Sequence, residues 1–192
     1  VKNLPAAPRI LPELLVLLNQ PDIDSGRVVD LITYDPGLTA NVLRLCNSAL
    51  LGASRPAEDL QEAITRLGFR QVYQLVAVVS GARALNPPQR GYGLPSGELW
   101  KHCITSALAA QLVAKDLGDD ENVTFTAGLL HDIGKIILLE SATKRYLPVL
   151  EQAAKSGRHE LQVETDLLGF NHADVGSVLA IKWFLPEDLT IA

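Results

Sequence analysis

The residues whose types and spacing could do chemistry gather around one dipeptide. His131 and Asp132 stand side by side in Leu129-Leu130-His131-Asp132-Ile133-Gly134-Lys135, where the other residues before Lys135 are apolar or glycine. A carboxylate among apolar neighbours is costly unless a cation or a full set of hydrogen bonds satisfies it. An imidazole nitrogen and a carboxylate offered to one region of space suit Zn, Mn, Fe or Mg, and the water that such an ion activates. Of the chain's four histidines, His102, His131 and His172 fall where a metal centre needs them. The fourth, His159, follows Ser156-Gly157-Arg158 at a helix start and reads as solvent-facing. Lys135 lies one turn after His131. It could meet a substrate phosphate as a point charge, or it could simply neutralise Asp132.

Three predicted helices must position these groups. Over about 97–117, Leu99, His102, Ser106, Ala109 and Val113 fall on one face, which points His102 inward. Over about 120–139, Phe125, Gly128, Leu129, Asp132, Ile136 and Leu139 form the core stripe, and Gly128 lets a neighbouring helix approach one turn before the pair. Over 172–183, His172 heads the stripe Val175, Gly176, Leu179 and Trp183, with Asn171 and Asp174 spaced as a capping box. Helices over 142–156 and 160–168 lie between, Ser96 reads as the N-cap of the first, and Pro186 starts a last one. The spacing therefore directs His102, His131, Asp132 and His172 toward one interior.

The preceding half is helical too. Leu11, Leu14, Leu15 and Leu18 form a stripe, Asp35-Pro36 reads as an N-cap with Pro at the first helical position, and Glu58–Leu67 is closed by Gly68. Phe69–Leu85 is apolar nearly all round. Asn86-Pro87-Pro88-Gln89-Arg90-Gly91-Tyr92-Gly93-Leu94-Pro95 breaks the pattern as a linker. The expected organisation is an N-terminal helical lobe over 1–86, a Pro/Gly linker over 87–95 and a helical core over 96–192. No β-type alternation is evident, so the fold class is all-α.

Composition narrows the function classes. The chain has 192 residues, 47% hydrophobic and 20% charged, with net charge −5. Acids and bases are interspersed without a basic stripe, which disfavours nucleic acid as a partner. No apolar run is long enough to span a bilayer. Two helix-borne cysteines, Cys46 and Cys103, fit a reducing cytoplasm. The absence of methionine, and a final Leu189-Thr190-Ile191-Ala192 with no stop signal, suggest a domain of a longer protein.

From about Leu4 to Leu189 a series of ordered motifs resembles a known family: Leu4-Pro5, Asp35-Pro36-Gly37-Leu38-Thr39, Asn47-Ser48-Ala49-Leu50-Leu51-Gly52, Leu60-Gln61-Glu62-Ala63-Ile64, Leu67-Gly68, Leu99-Trp100-Lys101-His102, Leu129 to Lys135, Leu168 to Gly176, and Trp183-Phe184-Leu185-Pro186. In these the chain is similar to the HDOD domain, the HD-related output domain of bacterial signalling proteins. The wider HD superfamily includes metal-dependent phosphohydrolases with a His…His-Asp…Asp set. The resemblance implies a single two-lobed helical HDOD domain whose C-terminal core is HD-phosphohydrolase-like, working beside receiver, GGDEF, EAL or other signalling modules. Many HDOD domains have lost the metal ligands and act by binding, whereas this chain keeps His102, His131, Asp132 and His172. The final metal-binding Asp of active members is not placed. Asp188 is the one late candidate, but Pro186-Glu187-Asp188 reads as a helix first turn, and the family's next polar cluster would fall beyond Ala192. Gly91-Tyr92-Gly93-Leu94-Pro95 imitates the GYP signature of cyclic-di-GMP phosphodiesterases but precedes the His-Asp pair and reads as linker.

Three readings stand after this. The favoured one is a regulatory module that binds a partner protein or small ligand and keeps a metal-site remnant. The second is a phosphohydrolase acting on a nucleotide or cyclic dinucleotide, with one or two divalent metals (Mn, Fe, Zn, Ni or Mg) on the four ligands and Lys135 at the phosphate. The third is a purely structural metal lock. Expected partners are signalling domains or proteins and a nucleotide ligand, with no nucleic acid and no membrane. The stretch Asn47–Arg55 is a candidate partner surface, set against the plainer reading that Asn47-Ser48 ends a helix.

Overall fold

The computed structural model describes residues 10–18, 20, 22–48 and 55–190. Leu4-Pro5, Ala49–Ser54 and the last two residues lie outside them, so most of the candidate partner surface is not described. Among the described residues there are no strands beyond an isolated Gln89–Leu94 bridge. They fall into two compact units, residues 10–80 and residues 81–190.

In the first unit, α1 (Ile10–Leu18), α2 (Ser25–Thr33) and α3 (Pro36–Cys46) follow one another along the chain. Asp24 and Asp35 cap α2 and α3, accepting from Gly26 N at 2.9 Å and Leu38 N at 3.0 Å. Leu11, Leu14, Ile32, Val42, Val72 and Val76 fill the core. Asn47 ends α3, and its side chain is spent internally: Oδ1 accepts from Ala57 N at 2.6 Å while Nδ2 donates to Ala57 O at 2.9 Å. α4 (Leu60–Leu85) runs from this unit into the next and kinks at Gly68, whose φ of 79° is open to glycine and strained for other residues.

The second unit holds α5 (Glu98–Leu117), α6 (Glu121–Leu130), α7 (Ile133–Ser156), α8 (Glu160–Leu168) and α9 (His172–Lys182). The expected N-cap at Ser96 is not formed. Gly97 takes that position, and Ser96 Oγ donates to Asn86 O instead. The residues read as linker fold onto α7: Arg90–Tyr92 is a 3-10 turn, and Gly91 lies against Leu139 and Leu147 too closely for a Cβ. Asn171 and Asp174 form the capping box of α9 as expected.

Two local expectations need correction. The buried face of α5 is Leu99, Cys103, Ala107 and Ala114, and His102 lies outside it with its side chain 57% exposed. Apolar residues surround much of α5, so periodicity did not select a face; Ala107 backbone packed against Gly128 did. The second correction concerns the helix expected over 120–139. It breaks at His131-Asp132, where Asp132 has φ −99° and ψ 7°, and α7 then runs to Ser156 through a kink at Ala142. Neighbours within one helix diverge by about 100°. The break instead turns the two side chains toward each other.

Candidate metal centre

His102 comes from α5, His131 and Asp132 from the α6–α7 junction, and Lys135 from the first turn of α7. Gly128 brings the first two elements together: a Cβ there would lie 2.7 Å from Ala107 Cα. His102 Nε2 then lies 3.1 Å from His131 Nε2. Asp132 Oδ2 lies 3.5 Å from the former and 3.6 Å from the latter. Two ligands each ~2.1 Å from one ion stand ~3.0–3.4 Å apart in tetrahedral or octahedral geometry. The 3.1 Å edge lies inside that range and the 3.5 and 3.6 Å edges just beyond it, so a small side-chain adjustment would close the three donors on a single divalent cation, and two imidazoles with one carboxylate suit Mn, Fe, Zn or Ni.

The tautomer of His131 is fixed from behind. His131 Nδ1 lies 2.8 Å from the Gly128 carbonyl, which can only accept, so Nδ1 carries the proton and Nε2 offers its lone pair. Asp132 is buried, whereas the His131 side chain is 35% exposed, so the triangle opens to solvent on its histidine side.

His172 is placed differently from the expectation of four ligands around one point. Gly134 lets α9 approach, since a Cβ there would meet the His172 carbonyl at 1.9 Å. His172 Nε2 comes within 3.8 Å of Asp132 Oδ1, the oxygen turned away from the other histidines. Its Nδ1 donates to Glu164 Oε2 at 2.7 Å, and its backbone N–H donates to the same oxygen at 2.7 Å. Tyr146 Oη donates to Glu164 Oε1 and also pairs with Tyr92 Oη. Burial pushes Glu164 up, but the His172 and Tyr146 hydrogen bonds outweigh it and hold the carboxyl below its ordinary value. Burial likewise pushes both phenols well above theirs, so they serve as neutral donors. Glu160, Glu164 and His172 also have ligand-type atoms within 4.8 Å of one another. With Nδ1 already bonded to Glu164, this group reads as a hydrogen-bonded support for His172.

Lys135 Nζ lies 3.2 Å from Asp132 Oδ1 and 3.2 Å from Glu160 Oε2. Burial works against the ammonium, but the two carboxylates outweigh it and hold its pKa above the ordinary lysine value. His159 is exposed at the start of α8, and Asp188 is exposed in the 3-10 turn Glu187–Leu189. The sequence reading missed Glu160, Glu164 and Tyr146. The two acids did leave a signal, because their four-residue spacing puts them on one face of the short helix before His172. Tyr146 left none, since only the tertiary fold brings it to Glu164.

The HDOD domain family matches residues 4–192. A candidate signal transduction protein of Marinobacter aquaeolei VT8 superposes with a TM-score of 0.80 at 26% identity, covering 98% of this chain and 43% of that one. A candidate phosphohydrolase of Shewanella amazonensis SB2B does so at 0.78 and 29% identity, covering 98% and 66%. Ribonuclease Y of Streptococcus sanguinis strain SK36 is 31% identical over 189 residues, which is 88% of this chain and 34% of that protein. The chain spans about a third of the length of the first curated relatives it matches. With the all-helical fold and a family match running from residue 4 to residue 192, the chain belongs to the HDOD domain family.

Proposed function

We propose that this chain is a regulatory module of a signalling protein that holds one divalent metal on His102, His131 and Asp132 and works by binding rather than by turnover. The arrangement around Asp132 carries this reading. Oδ2 faces two imidazole nitrogens in a triangle with edges of 3.1, 3.5 and 3.6 Å, while Oδ1 is tied to Lys135. The lysine beside the centre is thereby committed to Asp132 and Glu160, which argues against its use at a substrate phosphate. The similarity to a candidate signal transduction protein supports the regulatory half. Partners would then be other signalling domains or proteins, with a nucleotide as candidate ligand.

A phosphohydrolase acting on a nucleotide or cyclic dinucleotide is the second reading. It is favoured by the 57% exposure of the His102 side chain, which leaves the centre open to solvent, and by the candidate phosphohydrolase and ribonuclease Y among the relatives. A divalent ion at such a donor set supplies Lewis-acid activation of water or of a phosphoryl oxygen. The chain's own part would be to hold the two imidazoles and Asp132 fixed, with Gly128 O setting the tautomer of His131 and Glu164 that of His172.

The deciding experiment is elemental analysis of full-length, tag-free protein after incubation with Mn2+ or Fe2+, followed by phosphodiester and cyclic-dinucleotide assays. One equivalent of metal in the parent and none in Asp132→Ala, without turnover, is expected. Turnover lost in Asp132→Ala would move the conclusion to the second reading, and a parent without metal would overturn the metal assignment.

A further inference from the structure

We propose that the cavity between residues 83–91 and α7 binds a small phosphate ester with a flat ring, the chemistry of a mononucleotide. This site rests on the binding reading above and gives its candidate nucleotide a place apart from the metal. The cavity holds about 750 Å3, within the ~300–1,000 Å3 of small-molecule sites. The cavity beside His131 holds about 30 Å3 and has room for water rather than a ligand. All residues lining the larger one belong to the unit of residues 81–190. Its rim is held in place. Gln89 N donates to Leu94 O at 3.0 Å and Leu94 N to Gln89 O at 3.2 Å, which closes the segment into a loop. The Gln89 side chain is buried and donates from Nε2 to Pro87 O at 3.0 Å. Gly91 seats the loop against Leu139 and Leu147. A wall already ordered costs a ligand little affinity.

The lining has two characters. Pro87, Pro88, Ile136, Leu139 and Leu147 supply apolar surface against which a flat ring packs. Arg83, Arg90, Glu140 and Thr143 are the polar groups, and the kink of α7 at Ala142 falls between the last two. A guanidinium is always charged and meets a phosphate through two parallel N–H donors. Arg90, exposed on the 3-10 turn, suits that role, and Arg83 adds a second positive charge from the end of α4. Among the described residues neither Arg90 nor Glu140 is held in an ion pair. The Glu140 carboxylate can only accept, which suits a hydroxyl or amino group of the same molecule. An uncharged apolar ligand would desolvate the guanidinium groups without replacing their water. A bare anion would leave the apolar walls wet. A molecule with both parts satisfies both.

The test is equilibrium dialysis of the full-length protein against AMP and GMP, in EDTA and again with Mn2+. One saturable site for at least one nucleotide is expected in EDTA. Adenosine, guanosine and inorganic phosphate should each bind at least about tenfold more weakly. Arg90→Ala should weaken the nucleotide by about tenfold or more. Thr143→Trp, which fills the cavity from an exposed position, should abolish binding. Lys144→Ala removes an equal charge at the next position of α7, outside the lining, and should change nothing. No binding of either nucleotide, equal affinities for nucleoside and nucleotide, or equal losses in Arg90→Ala and Lys144→Ala would each overturn the proposal. Binding that requires Mn2+ and ignores Arg90→Ala would put the nucleotide at the metal centre and reject this site. Bound metal without turnover, in a protein that takes no nucleotide, would reject this site and leave the regulatory reading in place. If Thr143→Trp does not fold, Arg90→Ala against Lys144→Ala decides.

Discussion

At the scale of single residues, Glu164 and the two thiols are the informative groups. Glu164 is fully buried and accepts from the His172 backbone, the His172 ring and Tyr146. Glu164→Ala would take the acceptor from three buried donors, so stability should fall by about 3 kcal/mol. A shift in the urea midpoint checks this, and an unchanged midpoint would show that Glu164 is not structurally committed. Cys46 and Cys103 are buried and free. Burial raises both thiols, and pushes Cys103 to about 12. A thiol whose folded pKa exceeds its unfolded value favours the native state below the unfolded pKa. That advantage is lost as pH rises toward the folded pKa. Stability should therefore decline between about pH 9 and pH 12, and a Cys103→Ala variant should flatten that part of a pH–stability curve. At pH 8, native protein should react with a thiol reagent far more slowly than the same chain in denaturant.

Helices meet at glycines, and the centre depends on those meetings. A Cβ on Gly134 would come 1.9 Å from the His172 carbonyl, whereas one on Gly176 would find its nearest neighbour, Ile133 Cγ2, at an ordinary 3.7 Å. Gly134→Ala should cost roughly 2–4 kcal/mol by forcing α7 from α9. Gly176→Ala should be close to neutral, since alanine also favours the helix. Thermal melts of the two variants give the comparison, and equal losses would argue against the close approach. The capping signals were legible in the sequence because they are local: Asp35 before Pro36 and Asn171 with Asp174 each act within three residues. The face of α5 was not, because apolar residues on several sides let two different stripes satisfy the helical period.

Across the whole molecule, the candidate ligands and their supports all lie within residues 81–190, while residues 10–80 form their own unit. Asn47→Ala removes both hydrogen bonds to the Ala57 backbone and should lower the melting temperature by several degrees, about 1–2 kcal/mol. Metal stoichiometry should stay the same. A parallel loss of bound metal would mean that the first unit is energetically coupled to the centre. By itself the sequence determined the helical class, the family and the pairing of His131 with Asp132, because periodicity, capping and ordered motifs are properties of short stretches. The tertiary structure alone decided that His102 stands at the exposed edge of the donor triangle, that His172 serves the other oxygen of Asp132, and that Glu160, Glu164 and Tyr146 belong to the same network. Those relations depend on the break after α6 and on glycines that set how closely separate helices meet, and neither distance is written in the spacing along the chain.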